Sequence, residues 1–162
     1  MQEDFLHYVW KFQYFDKQDL RTHQGDKLVV LNPGTHNEHA GPDFLHSSLI
    51  IDDITWYGHI ELHMRAAAWH IHKHRKDPAY DNVVLHVVWD NDQPIHQRDG
   101  SLLPTLVLKD RVAPQILQQY QQLVQNKTAI PCASQFSQVD PIIKTAMSER
   151  ALLQRLTHKN NL

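Results

Sequence analysis

The sequence has a single cysteine in 162 residues, which excludes a disulfide bond within the chain and fits a reducing compartment. No apolar run is long enough to span a bilayer, and the first four residues, MQED, are acidic where a secretory signal peptide is basic. We therefore expect a cytoplasmic protein without a membrane span. The 16 lysines and arginines do not exceed the 18 acidic residues, so bulk charge argues against coating of nucleic acid and leaves only a local basic groove.

Common catalytic signatures are also missing. The five glycines form no phosphate-binding loop, and the sequence contains neither a Gly-x-Ser-x-Gly nucleophile elbow nor a Cys-x-x-Cys pair. Histidine, by contrast, is abundant and supplies 13 of the 162 residues. Because histidine titrates near neutral pH and is a common metal ligand, this abundance requires an explanation.

Apolar periodicity and turn residues predict the order helix, three strands, helix, strand, followed by further elements. The predicted segments are residues 3–15, 27–31, 43–51, 55–64, 66–76, 82–89, 102–108, 113–124 and 142–156. This order predicts an α/β fold with a mixed sheet. We expect a core domain over residues 1–127 and a linker with a C-terminal helix over residues 128–162. The terminal apolar helix suggests the start of a longer region or a packing partner.

Two carboxylates form the strongest candidate site. Asp43 opens the second predicted strand and Glu61 lies near the far end of the third, so an antiparallel hairpin brings them together. His63 follows on the same face as Glu61. Two carboxylates and a nitrogen donor can hold a hard divalent cation such as Mg²⁺ or Mn²⁺. In the alternative interpretation, Asp43 caps a turn and Glu61 points into solvent.

The pattern Pro42-Asp43 … Glu61-Leu62-His63, within an αβββαβ order, resembles the PD-(D/E)XK phosphodiesterase superfamily over residues 1–110. The resemblance implies a restriction-endonuclease-like core with extra C-terminal helices. It also implies that Asp43 and Glu61 are metal ligands, that the Leu62 carbonyl is a third, and that Glu3 in the first helix is a further candidate. His63 stands where the superfamily has lysine, and histidine is not a permanent cation.

Longer strings of sequence resemble one particular bacterial family. FLHYVWKF, NPGTHNEHAGPDF, WYGHIELH, WHIHKHRKDPAYDNVVLHVVWD and LPTLVLK are similar to the family called domain of unknown function 2851. The resemblance covers nearly the whole chain and implies no established activity. Members of that family are usually longer, so we expect a fragment or a truncated product. Ala68 stands where we expect an acidic residue before the tryptophan.

The histidines of residues 66–76 allow two arrangements. If this segment is a helix, His70 and His74 share one face and can bind one transition metal such as zinc. The family resemblance instead favours His72 and His74, and an extended segment with alternating histidines is also open. In the alternative without a bound metal, these histidines form a polar face near the end of the sheet.

Other candidates surround the expected site. His36 and His39 lie in the loop that delivers Asp43, and they either bind substrate phosphate or cap turns. Tyr80 either faces the cleft or helps to build the turn before the next strand. His86 lies within the apolar run NVVLHVV, so it requires a hydrogen-bond partner and is expected to be a core histidine.

These observations favour a metal-dependent phosphodiesterase that acts on nucleic acid, with Asp43, Glu61 and His63 at its centre and Mg²⁺ or Mn²⁺ as cofactor. The first alternative is a catalytically inactive module of the same fold that binds nucleic acid or protein. The second alternative is a histidine-rich hydrolase that uses Zn²⁺.

Overall fold

The computed structural model describes residues 3–126 and 133–160. The chain divides into two compact units, Met1–Gln118 and Gln119–Leu162. The predicted domain boundary after residue 127, and the first residues of the predicted linker, fall outside the described residues. That boundary therefore stays a prediction.

A mixed β-sheet forms the centre of the first unit. Its strands are β1 (Leu28–Asn32), β2 (Thr35–His36), β3 (Phe44–Ile51), β4 (Ile54–Arg65), β5 (Val83–Asp90) and β6 (Thr105–Val107). The spatial order is β1-β3-β4-β5-β6, with the short β2 beside β3. The pairs from β1 to β4 are antiparallel, whereas β4, β5 and β6 run parallel. The predicted α/β class with a mixed sheet is confirmed.

The β3–β4 hairpin determines which ends of the strands meet. It turns at Asp52, whose φ of 51° lies in the left-handed region that aspartate tolerates better than most residues. The register pairs Ile51 with Ile54 next to the turn, and Phe44 with Ile60 at the other end. The residue before β3 therefore lies beside the C-terminal half of β4.

Strand β5 is buried along most of its length. Its residues from Val83 to Val88 are all buried, as expected for a strand covered on both faces. A parallel partner cannot follow β4 through a tight turn, so the chain crosses over between them. The crossover contains the helix α2 (Ala68–Ile71) and two 3₁₀ turns, His74–Lys76 and Pro78–Tyr80.

The predicted helix over residues 66–76 is wrong in extent, because regular helix ends at Ile71. Lys73 has a φ of 62°, and a residue in the left-handed conformation ends a helix in the way that a C-terminal glycine does. The first helix likewise stops at Phe12, before Gln13 with its φ of 56°. The last strand of the sheet begins only at Thr105, since Pro104 lacks the N–H that a ladder needs.

Helix α1 (Glu3–Phe12) packs its apolar face against β4. Phe5, Leu6, Val9 and Trp10 are fully buried, and the spacing of these four side chains places them on one side of the helix. The indole Nε1 of Trp10 donates to the carbonyl of Pro33 at 3.0 Å, which satisfies its polar group inside the core. The packing places His7 of α1 beside Phe44 at the start of β3, with ring centroids 6.2 Å apart.

Two longer helices lie toward the C-terminus. α3 (Pro114–Gln125) spans the division between the units, and α4 (Pro141–Asn160) belongs to the second unit, after a 3₁₀ segment at Ala133–Gln138. α4 exposes several large apolar side chains: Ile142, Ile143, Met147, Leu152, Leu153 and Leu156. Within residues 3–126 and 133–160, none of the helices has both the length and the apolar character needed to traverse a bilayer.

Gly58 allows close approach between β4 and the start of β5. A Cβ atom at this position would lie 2.5 Å from the carbonyl oxygen of Asn82 and 2.5 Å from Cγ1 of Val84. We expect Gly58→Ala to lower the free energy of unfolding by about 1–3 kcal/mol, because a backbone carbonyl cannot move aside cheaply. Urea denaturation measures the change. Tyr57→Ala, an exposed neighbour on the same strand, is the control, and equal stability of the two variants would contradict this packing.

Candidate metal centre

Asp43 and Glu61 are joined by reciprocal hydrogen bonds across the β3–β4 hairpin. The backbone N–H of Asp43 donates to Oε2 of Glu61 at 3.2 Å, and the N–H of Leu62 donates to Oδ2 of Asp43 at 2.8 Å. Each carboxylate thus accepts from the backbone of the opposite strand. The structure brings these two residues together in the way that the hairpin register predicts.

Glu61 is buried rather than exposed to solvent, which rules out the alternative interpretation of this residue. Only 4 % of its surface is accessible. Its second oxygen, Oε1, lies 3.0 Å from Nε2 of His74 and 3.5 Å from Nε2 of His63. One carboxylate therefore links the hairpin, through Oε2, to a group of imidazoles, through Oε1.

His63 is the centre of the imidazole group. Its Nε2 lies 3.1 Å from Nδ1 of His72, and its Nδ1 lies 2.8 Å from Nε2 of His86. His63 and His86 are both buried, on the neighbouring strands β4 and β5. The expectation that His86 is a core residue with a partner is met, and the partner is a histidine of the candidate site.

The left-handed residue in the crossover decides which histidines reach the group. His72 follows α2 directly and His74 opens the first 3₁₀ turn, with Lys73 between them at a φ of 62°. Both imidazoles consequently approach His63, with one ligand atom from each of the three histidines within 4.8 Å of the others. His70 is exposed on α2 and is not among the grouped histidines, so of the open arrangements the structure forms His72 with His74 and not His70 with His74.

Aromatic side chains form one wall of the group. The ring of Tyr80 stacks on His74 with a centroid separation of 3.8 Å, and Trp69 meets His74 edge-on at 5.3 Å. Trp69 is buried, and it also contacts His86. Both interpretations of Tyr80 hold, because it lies in the 3₁₀ turn Pro78–Tyr80 before β5 and its ring packs on the imidazole group.

Burial gives the carboxyl and the imidazoles unusual pKa values. It raises the pKa of Glu61 to about 9, with the nearby charge of Asp43 adding to the shift. It lowers the pKa of His63 to about 2, and it also lowers the pKa of His74 against the opposing charges of Asp43 and Asp77. In the absence of a cation, these groups are therefore neutral near pH 7. A divalent cation reverses the preference of the carboxyl, because its charge stabilises the carboxylate.

His7 was missed by the sequence analysis. Its Nε2 lies 3.4 Å from Oδ1 of Asp43. Burial lowers the pKa of His7, but its contact with Asp43 and the charges of Glu3 and Asp4 outweigh that effect, so the pKa lies above its ordinary value. The available signal was helical spacing, since His7 lies one turn after Glu3, the residue already singled out in α1. The charge of Glu3 also acts on Glu61, which places it near the site.

The remaining candidates, His36, His39 and Leu62, are not members of the imidazole group. His36 on β2 contacts the ring of His7 at a centroid distance of 5.3 Å and the ring of Phe44 at 5.2 Å. His39 is exposed, and its backbone N–H closes a turn by donating to Asn37 Oδ1, as the turn-capping interpretation predicts. Leu62 contributes its N–H to Asp43, and ligation by its carbonyl stays a prediction.

Comparison with known families identifies the chain. A family model described as "Protein of unknown function (DUF2851)" matches residues 3–162. The chain belongs to the DUF2851 family. Searches of curated proteins and of solved structures found no significant match. The candidate metal centre of this DUF2851 chain must therefore be interpreted from its own geometry.

Replacing Glu61 tests the burial of its carboxyl group. Folding raises the pKa of Glu61 to about 9 from its ordinary value near 4.5, so the metal-free protein loses stability as pH rises from about 4.5 toward 9. Glutamine has the same shape and carries no charge. We expect Glu61→Gln to stabilise the chelator-treated protein by roughly 1–3 kcal/mol at pH 8, with the gain shrinking toward pH 5.

Thermal and urea denaturation at several pH values measure this difference, with the exposed Glu38→Gln as the matched control. The parent and the Glu61→Gln variant share the same histidines, so the titration of imidazoles cancels from the difference in their stabilities. A Glu61→Gln variant that is less stable than the parent at pH 8, by the same amount as at pH 5, would show that the carboxyl is ionised in the metal-free fold.

Proposed function

We propose that this DUF2851 chain is a metal-dependent phosphodiesterase that cleaves nucleic acid. The observation that carries the proposal is the reciprocal hydrogen bonding of Asp43 and Glu61, which holds two carboxylates side by side next to His63. In the PD-(D/E)XK pattern that the sequence resembles, these positions hold the cation. A bound cation lowers the pKa of a coordinated water and stabilises the charge that develops on a phosphate.

The topology around these residues supports the same proposal. An antiparallel hairpin carries Asp43 and Glu61, and a crossover then leads to a strand parallel to the second strand of that hairpin. Apart from the short strand β2 and the brevity of α2, the order of elements is similar to the αβββαβ order that the resemblance implies. The charge of Glu3 on α1 reaches Glu61, in line with the further acid expected from the first helix.

His63 has a different role from the lysine whose position it takes. Its side chain is 1 % exposed and both of its ring nitrogens face other side chains. A buried, neutral imidazole cannot contact substrate phosphate as a lysine cation does. Within the proposed function, His63 is therefore a ligand or a positioning residue rather than the group that stabilises negative charge on the substrate.

Local positive charge next to the site supports a nucleic-acid substrate. The crossover that delivers His72 and His74 also exposes three cations, namely Lys73, Arg75 and Lys76. Lysine and arginine at such positions bind the phosphate backbone without reading sequence. A chain with a net charge of −2 thus carries its basic segment beside the candidate metal centre.

Cleavage of labelled DNA and RNA, single- and double-stranded, tests this proposal. The full chain is treated with chelator and then supplied with Mg²⁺, Mn²⁺ or Zn²⁺ in separate reactions. We expect cleavage with at least one cation and one substrate. We expect Glu61→Gln and Asp43→Asn to lose more than the ~10–100-fold that removal of an outer-shell partner costs a metal site. His70→Gln, an exposed histidine of the same crossover, is the matched control and should keep full activity.

Two results would contradict the proposal. Cleavage that survives both Glu61→Gln and Asp43→Asn would place the reaction elsewhere or in a contaminant. Salt-dependent binding of nucleic acid without cleavage under any of the three cations would instead support the inactive binding module.

A further inference from the structure

Ligand atoms of His63, His72 and His74 lie within 4.8 Å of one another where the crossover meets β4, and Glu61 Oε1 lies beside two of them, His63 and His74. The distances are 3.0 Å between Glu61 Oε1 and His74 Nε2, 3.5 Å between Glu61 Oε1 and His63 Nε2, and 3.1 Å between His63 Nε2 and His72 Nδ1. A tetrahedral zinc ion with bonds of about 2.0–2.1 Å separates its ligand atoms by about 3.3 Å. The three measured separations lie on either side of that value.

We propose that Glu61, His63, His72 and His74 bind a transition-metal ion of the zinc type. Three imidazole nitrogens and one carboxylate oxygen suit zinc or a neighbouring late transition metal, whereas Mg²⁺ prefers oxygen ligands and retains several waters. The inference deepens the proposed function, on which its placement at a reaction centre rests. This site shares only Glu61 with the hard-cation site expected at Asp43 and Glu61, and takes its other ligands from the histidines.

A buried nitrogen without a partner supports this site. His74 is 7 % exposed, and among the described residues its Nε2 has no hydrogen-bond partner, although it lies 3.0 Å from Glu61 Oε1. A buried polar atom left in this state costs free energy unless something else satisfies it. A metal ion bound by His74 Nε2 and Glu61 Oε1 satisfies both atoms.

His86 places His63 in the orientation that a ligand needs. Metal-binding histidines commonly donate their second ring N–H to a neighbouring acceptor, which selects the tautomer and holds the ring. His63 Nδ1 lies 2.8 Å from His86 Nε2, so a proton on Nδ1 is donated to His86 and leaves Nε2 free for the ion. His86 is fully buried between β4 and β6 and cannot turn away into solvent.

The four ligands differ in their access to solvent, so the site has a buried side and a solvent side. Glu61, His63 and His74 are buried, whereas His72 is exposed. Catalytic zinc sites hold three protein ligands firmly and keep a fourth position for water or substrate. His72 lies on the solvent side, so of the four ligands it would be the one nearest to an approaching water or phosphate oxygen.

Metal analysis of the full chain, purified without added metal or chelator, tests the inference. We expect about one equivalent of zinc or of another late transition metal per chain, as in other sites of this ligand type. After removal of the metal, added Zn²⁺ should raise the melting temperature and added Mg²⁺ should not. Replacement by Co²⁺ should give the strong visible absorption of a four-coordinate ion.

Variants at three histidines separate ligation from folding. His72→Gln alters an exposed side chain and leaves the core intact, and it should weaken Zn²⁺ binding in a competition titration by at least the ~10–100-fold expected of an outer-shell loss. His70→Gln, two residues earlier and also exposed, should bind Zn²⁺ as the parent does. Equal Zn²⁺ affinity in His72→Gln, in His74→Gln and in the parent would overturn the inference.

The same samples distinguish this inference from the proposed function. Stoichiometric Zn²⁺ that depends on His72 and His74, in a protein that cleaves no nucleic acid, supports the metal site and counts against the phosphodiesterase. Cleavage that needs Mg²⁺ or Mn²⁺, in a protein that takes up no transition metal and whose melting temperature Zn²⁺ does not raise, overturns the site and leaves the function standing.

Discussion

Burial of the Glu61 carboxyl is the constraint on which the arrangement around it depends. A carboxyl withdrawn from water requires donors or a cation, and this one has both of its oxygens directed to fixed groups. Oε2 accepts from the backbone of Asp43 and so depends on the hairpin register, while Oε1 faces His63 and His74 and so depends on the crossover. Glu61 lies on β4, the strand that pairs antiparallel with β3 and parallel with β5.

Much of this arrangement could be predicted from the sequence, because it follows from strand periodicity. Alternation along β4 places Glu61 and His63 on one face, and an antiparallel turn at Asp52 brings Asp43 beside them. The apolar run around His86 predicts a buried strand, and a buried strand requires a partner for its imidazole. These inferences use only local patterns and one hairpin.

The histidines of the crossover could not be predicted in the same way. Their spacing fits a helix, in which His70 and His74 share a face, and an extended segment equally well. The outcome depends on Lys73, which adopts a left-handed conformation that lysine seldom takes and that no pattern around it signals. His7 was missed for a related reason, since its contact with Asp43 depends on how α1 packs across the sheet.

The crossover between β4 and β5 also has a consequence for the order in which the protein folds. Glu61, His63, His72 and His74 all lie within a short stretch of chain, so the ion proposed for this site would close only a small loop and cost little conformational entropy. The ligands can therefore assemble as soon as the end of β4 meets the crossover. Helix α1 and strand β3, which lie farther away in sequence, would then pack around ligands that are already held together.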